Sequence, residues 1–237
     1  MGFNPIDLSN KVEKTACIGE KRKYYRFRSA RFYGGIATAD CVGCNLSCIY
    51  CWSNKPKNSP SNFGKFYSPK QVFNKLIHIA KKKKYSLIRV SGNEPTIAKE
   101  HLLELLELVD KTDFQFILET NGILIGNDPN YAYEISKYNS IHVRISLKGC
   151  TPSHFSQLTG ARPEAFDLQI NALQNLVRSH VSCHVSIMKD FAKKDYLNEL
   201  LNKLYKISPD LAHSLEFERL ILYPHVKAEL VRHGFQI

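Results

Sequence analysis

Three cysteines, Cys44, Cys48 and Cys51, fall in one short stretch with the spacing Cys-x3-Cys-x2-Cys. Thiolates spaced in this way can wrap a cubane iron–sulfur cluster from a single loop, and three of them leave one of its four irons without a protein ligand. That iron is then open to a substrate or cofactor. Cys41 stands just upstream, and counting it in gives Cys-x2-Cys-x3-Cys-x2-Cys. Such a set suits a closed four-cysteine zinc site or a fully ligated electron-transfer cluster, both of them non-enzymatic readings. Structural zinc sites usually place a longer loop between their cysteine pairs, and a ferredoxin-like chain does not need the large body that follows here. Cys17, Cys150 and Cys183 show no spacing that makes a second cluster and read as incidental thiols.

A metal loop needs something rigid to present it, and the rest of the 237 residues reads as that support. Residues 1–32 are expected to form an amino-terminal extension, strand-forming from Tyr24 to Phe32, ahead of a single globular domain over 33–237. Gly35 to Asp40 reads as a strand that delivers the cysteines at its carboxyl end. After a polar linker from Ser53 to Lys65, Ser68-Pro69 marks a helix start, and Val72, Phe73, Leu76, Ile77 and Ala80 form its apolar stripe. Further strands are expected at 87–91, 114–120, 141–147, 181–187 and 215–222, with helices at about 98–111, 131–137, 163–179 and 195–207. Six strands alternating with helices imply right-handed parallel units, in an open sheet or a barrel. Along three of the strands His142, Arg144, Ser146 and Lys148, then His184 and Ser186, then Glu216 and Glu218 alternate with apolar residues. Their shared face demands mutual pairing, water or a polar ligand.

The chain carries 33 basic and 22 acidic residues, a formal charge of +11, which favours contact with polyanions. Lys21-Arg22-Lys23, Arg26, Arg28 and Arg31 interleave with Tyr24, Tyr25, Phe27 and Phe32. That composition suits either stacking on bases or a strand with its aromatic side packed inward. Lys81 to Lys84 close a predicted helix, where cations complement the carbonyl end of the dipole. No apolar run approaches bilayer length, so no membrane partner is expected, and the amino terminus lacks the features of a secretory signal. With cysteines clustered for metal ligation, a reducing, cytoplasmic location is expected.

The cysteine spacing, with the aromatic Tyr50 just before the last thiol, resembles the signature of the radical S-adenosylmethionine (SAM) superfamily. The resemblance extends along the strand ends, where parallel barrels place their active sites. Ser91-Gly92-Asn93-Glu94-Pro95-Thr96 resembles the family's Gly-Gly-Glu-Pro segment, with Asn93 as an extra residue. Glu119-Thr120-Asn121-Gly122 and Ser146-Leu147-Lys148-Gly149 are similar to segments of the enzymes that activate glycyl-radical enzymes, with Ser146 in place of an acidic residue. Tyr223-Pro224-His225 is similar to a motif near the end of the same activases.

The resemblance implies an α/β fold, a partial (β/α)6 TIM-type barrel with parallel strands. It implies a 4Fe–4S cluster on Cys44, Cys48 and Cys51, with SAM chelated by the open iron and reductively cleaved to a 5′-deoxyadenosyl radical that takes hydrogen from a substrate. Tyr50, Gly92, Asn93, Glu94, Glu119, Asn121, Ser146, Lys148 and His225 are the residues it implies around SAM and substrate. Glu94 falls to the methionine ammonium, Glu119 and Lys148 to the carboxylate, ribose or a peptide, and His225 to the sulfonium side. An electron donor such as a flavodoxin or ferredoxin is implied. The substrate is either a glycine in a protein, as for the activases, or a tRNA base, as for the wyosine-base synthases that Cys-Ile-Tyr-Cys-Trp and Ser-Gly-Asn-Glu-Pro-Thr also resemble. The stretch from Thr151 to Arg162 is expected to be a long loop over the mouth, a lid or clamp. Trp52 is expected to pack locally beside the cluster.

Overall fold

The structure is a computed structural model and describes residues 2–236. Its nine strands are β1 (Cys17–Ile18), β2 (Lys21–Ala30), β3 (Ile36–Cys41), β4 (Lys65–Tyr67), β5 (Leu87–Ser91), β6 (Gln115–Thr120), β7 (Ile141–Leu147), β8 (Cys183–Met188) and β9 (Glu216–Glu218). The helices are α1 (Pro5–Ala16), α2 (Asn54–Asn58), α3 (Pro69–Lys83), α4 (Lys99–Asp110), α5 (Ile123–Asn127), α6 (Pro129–Ile135), α7 (Pro152–Thr159), α8 (Phe166–Arg178), α9 (Lys194–Ile207), α10 (Pro209–His213) and α11 (Pro224–Arg232). The strands form one sheet in the order β1-β2-β3-β5-β6-β7-β8-β9, with β4 on β2. From β3 to β9 every pairing is parallel, and the sheet does not close. It is the expected partial barrel of six parallel strands.

Local chemistry explains the elements. Ser68 caps α3 by a reciprocal box with Gln71, Pro69 follows at the first position, and Lys84 ends the helix in the left-handed region at φ 57°. Leu102, Leu105, Leu106 and Val109 bury one stripe of α4. Val90, Leu118, Val143, Ile145 and Val185 point outward from the sheet into the helix layer and form the main core. Inside the barrel a small plug of Ala30, Ile36 and Ile117 closes the end opposite the cysteines.

Segment 1–32 contributes α1, β1 and β2, with β2 antiparallel to β3 in the same sheet. A register shift between Tyr24 and Arg26 puts Tyr24 and Phe27 together against Tyr67, while Arg26 and Arg28 reach Asp40. The aromatic–cation alternation is thus divided between the faces of one strand.

Three expectations need correction. The stretch 151–162 is largely the helix α7, with Thr151 as N-cap, Pro152 at its start and Gly160 in the left-handed region at its end. These are the same start and stop signals as in α3, and Phe155, Leu158 and Thr159 are buried, so the segment is a packed strut and not a lid. The helix expected over 131–137 is preceded by a second short one, because Asp128 accepts from Asn130 N at 3.0 Å and restarts the chain at Pro129. The last strand, expected over 215–222, stops at Glu218; it is an edge strand with one partner, and Leu220 N donates to Asp190 at 2.8 Å instead.

His101 on α4 ties this helix to β2. Its Nδ1 lies 2.7 Å from the Glu20 carbonyl, which only accepts, so Nδ1 carries the proton and Nε2 accepts from Tyr24 Oη at 2.9 Å. Burial pushes its pKa down from 6.5 to about 4. The unfolded chain therefore takes the proton first on acidification. The resulting stability is complete above pH 6.5 and is lost as pH falls from 6.5 through about 4. Thermal midpoints measured across that range are expected to fall, and His101→Phe to lower the neutral-pH midpoint while flattening the acid slope; an unchanged slope would refute the assignment.

Candidate active site

The loop from Cys41 to Trp52 leaves the carboxyl end of β3 and is suspended from four directions. From below, the buried Arg22 on β2 donates through Nη2 to Glu94 O at 2.6 Å and Val42 O at 3.2 Å, with Cys41 Sγ at 3.5 Å. From the end of β5, Asn93 Oδ1 accepts from Gly43 N at 2.9 Å while Glu94 N donates to Gly43 O at 3.0 Å. From the end of β6, Asn121 Nδ2 donates to Asn45 Oδ1 at 2.7 Å. From α7, the final carbonyls take the loop's amides, Ser47 N to Thr159 O at 3.1 Å and Ile49 N to Leu158 O at 3.0 Å.

This suspension separates the cysteines. Cys41 is fully buried and turned onto Arg22, and burial raises its thiol pKa although Arg22 works in the opposite direction. Cys44, Cys48 and Cys51 are only partly covered. Burial, then Glu94 and Cys48, pushes the Cys44 thiol well up, and burial with Cys48 holds Cys51 at about 11. Burial also raises Cys48, against the pull of Lys148 and Lys57. Thiols held this way ionise only for a strongly positive partner, which is what a metal cluster is. Beside Cys44, Asn45 Nδ2 is buried with no acceptor, a donor left for a group not supplied by the protein. The donor set fits an iron–sulfur cluster with three protein thiolates.

The residues expected around SAM divide into groups. Gly92, Asn93, Glu94 and Asn121 meet Cys44 and the base of its loop. Gly92 has φ 98°, and a Cβ there would lie 3.0 Å from that of Asp40, so the close approach requires glycine. Glu94 takes four donors, unevenly shared: Oε1 accepts from Thr96 N at 3.1 Å, Thr96 Oγ1 at 2.6 Å and Thr120 Oγ1 at 2.6 Å, while Oε2 accepts from Asn121 N at 2.8 Å. Its carboxylate joins the ends of β5 and β6. Lys148 Nζ donates to Ser146 Oγ at 2.6 Å on the Cys48 side. Glu119 lies in the lumen, paired with Arg89 and accepting from Ser91 Oγ at 2.7 Å. Two residues stand apart: Tyr50 packs on Phe191 with ring centroids 5.0 Å apart, and the half-buried His225 meets Trp52 O at 3.2 Å.

Most of the inward polar set pairs with itself, while the buried Ser186 Oγ finds no partner among the described residues. Arg144 reaches Glu216 at 2.8 Å and Glu218 at 2.9 Å, and His184 Nε2 lies 3.0 Å from Glu216. Glu216 only accepts, so with both imidazoles neutral His184 Nδ1 accepts from His142 Nε2 at 2.6 Å. The hydrogen bond from His184, followed by that from Arg144, holds the Glu216 carboxyl down at about 2. Arg22, Asn45 and Arg89 went unread in the sequence. Strand alternation between Ile88 and Val90 could have found Arg89, but nothing distinguished Arg22 within its basic run.

An open α/β barrel with a three-thiol loop at the end of its first parallel strand defines an iron–sulfur protein of the barrel type. The sequence model of the radical SAM superfamily matches residues 40–203. The chain belongs to the radical SAM superfamily. The enzymes of this superfamily use a 4Fe–4S cluster and SAM. Among its relatives, a Methanocaldococcus jannaschii protein named as a glycyl-radical enzyme activating enzyme is 35% identical over 80 residues, 34% of this chain and 29% of that protein. A Methanococcus vannielii protein named as a GTP 3′,8-cyclase is 29% identical over 122 residues, 51% of this chain and 38% of that protein. The crystal structure of Streptococcus suis SuiB bound to SAM superposes with a TM-score of 0.63 at 18% identity, covering 81% of this chain and 44% of SuiB. The chain thus spans less than half the length of each of these proteins. No helix among the described residues is long and apolar enough to cross a membrane.

Proposed function

We propose that this enzyme holds its cluster on Cys44, Cys48 and Cys51 and takes hydrogen from a substrate bound at the open mouth of the barrel. The observation that carries this reading is the separation of the cysteines: Arg22 occupies Cys41, while the other three thiols remain at the carboxyl end of β3 with a spare donor beside them. Together the cluster and SAM supply one-electron cleavage of the sulfonium and a primary carbon radical. The chain's own residues bind and orient. Asn45 and Asn121 flank Cys44, and their amides line that side of the loop. Glu94 joins the strand ends through Oε1, and Oε2, which accepts from Asn121 N, keeps a lone pair for the ammonium of SAM. Lys148, bonded only to Ser146, is the cation available for a carboxylate, and Glu119 with Arg89 faces the ribose side. A flavodoxin or ferredoxin supplies the electron.

Strict activase chemistry is the weaker assignment, because Ser146 stands where the activases carry an acidic residue. The test is anaerobic reconstitution with iron and sulfide, reduction with dithionite, and chromatography for 5′-deoxyadenosine and methionine. Both products are expected. A protein loaded with four irons that releases neither would overturn the proposal.

A further inference from the structure

Beside the cysteine loop, the mouth of the barrel carries a positive charge that the protein leaves unneutralised. Asp40, buried near the end of β3, accepts from Arg26 Nε at 2.6 Å and from Arg28 Nε at 2.8 Å and Nη2 at 3.2 Å. One carboxylate thus serves two guanidiniums, and among the described residues neither has another acidic partner. The surplus sits on Arg26, whose side chain is 45% exposed against 25% for Arg28. On the β9 side the balance reverses, with Glu216 and Glu218 sharing Arg144. On the β2 side an entering anion therefore meets the surplus charge of Arg26, apart from Lys148 at the end of β7.

The surroundings of Arg26 are aromatic. Its guanidinium carbon lies 5.6 Å from the ring centroids of both Tyr25 and Trp52. Trp52 is 41% exposed and Tyr223 42%. Tyr223 stacks on His225 with the rings 8° from parallel, and His225 meets the Trp52 carbonyl. Tyr25 Oη lies 2.8 Å from Ser53 Oγ, so these groups are attached directly to the residues that follow Cys51. A carboxylate on a peptide would need the arginine alone. A half-neutralised guanidinium between a half-buried tyrosine ring and an exposed tryptophan ring matches a phosphate joined to a planar base.

We infer that Arg26, Trp52 and Tyr223 form a subsite for a nucleotide unit of the substrate, with the phosphate on the guanidinium and the base stacked on the exposed rings. The inference rests on the proposed function only in setting this subsite next to the radical-forming loop. Trp52 is the single tryptophan of the chain, so its fluorescence reports the site directly. The full chain is titrated at low salt with guanosine 5′-monophosphate, inorganic phosphate, guanosine, a single-stranded RNA hexamer and an acidic tetrapeptide.

Saturable quenching by the nucleotide is expected, with phosphate or guanosine alone binding more weakly. Arg26→Gln is expected to weaken nucleotide binding roughly tenfold, the scale of one lost charge-assisted contact. Arg26→Lys, which keeps the pair with Asp40, is expected to weaken it by less and serves if the glutamine variant does not fold. Equal affinity for the mononucleotide and the hexamer would identify a free nucleotide; tighter hexamer binding with a steep salt dependence would identify RNA. Absence of saturable quenching, an affinity unchanged in both Arg26 variants, or tetrapeptide binding as tight as the nucleotide's would overturn the inference. Because this measurement needs neither SAM nor reductant, its failure is separable from a failure to release 5′-deoxyadenosine.

Discussion

Replacing any one of Cys44, Cys48 and Cys51 with alanine is expected to leave the reconstituted protein with almost no iron or sulfide and no detectable 5′-deoxyadenosine from SAM. Cys41→Ala is expected to retain both. The contrast follows from the direction of the side chains. Cys41 faces Arg22 beneath the loop, with Sγ 3.5 Å from a guanidinium nitrogen, and turning it toward the other thiols would strip a buried cation of a partner. Iron analysis and product chromatography on the four variants decide the matter. Loss of iron from Cys41→Ala as complete as from the other three would mean a closed site and would remove the radical mechanism.

Glu94→Gln, conservative in size, is expected to be among the most damaging single changes in the protein. All four partners of Glu94 donate, and two of them, Thr96 N and Asn121 N, are backbone amides that cannot turn away. Either orientation of the glutamine amide sets an N–H against a buried N–H. An unmet buried donor of this kind costs about 1–3 kcal/mol, and two opposed donors put the loss at ~3 kcal/mol or more. Denaturant unfolding would show the drop, and SAM affinity measured by equilibrium dialysis would fall with it as the strand ends separate. A glutamine variant as stable as the parent would show that Glu94 is not the joint between β5 and β6 described above.

The scaffold was legible because the strands β5 to β8, buried on their outer face by helices, carry runs such as Leu87-Ile88-Arg89-Val90, whereas the edge strand β9 leaves Phe217 exposed and was the one misjudged in length. The cysteine loop was legible because metal ligation constrains spacing directly. What sequence reasoning lost were features that depend on partners distant in the chain. Glu94 was read only as a partner for the ammonium of SAM, and its part in joining β5 to β6 was hidden because its donors at Thr120 and Asn121 come from another strand end. Asn93, an apparent insertion, is the clasp for Gly43, a role visible only once residues 43 and 93 are neighbours. The lid reading of 151–162 failed for a local reason, since the Thr-Pro start and the closing Gly160 were present and were given less weight than position after a strand.

The wide separation of the loop's attachments fixes an order of events in the making of the enzyme. Arg22 and Glu94 are 72 residues apart, Asn45 and Asn121 are 76 apart, and the carbonyls that receive Ser47 and Ile49 belong to Thr159 and Leu158. The cysteines therefore leave the ribosome long before the residues that shape their loop. In small zinc domains metal uptake drives folding. Here the residues that hold the loop are complete only once the chain has been made through α7, so the nascent thiols precede their supports and are unguarded against oxidants until then.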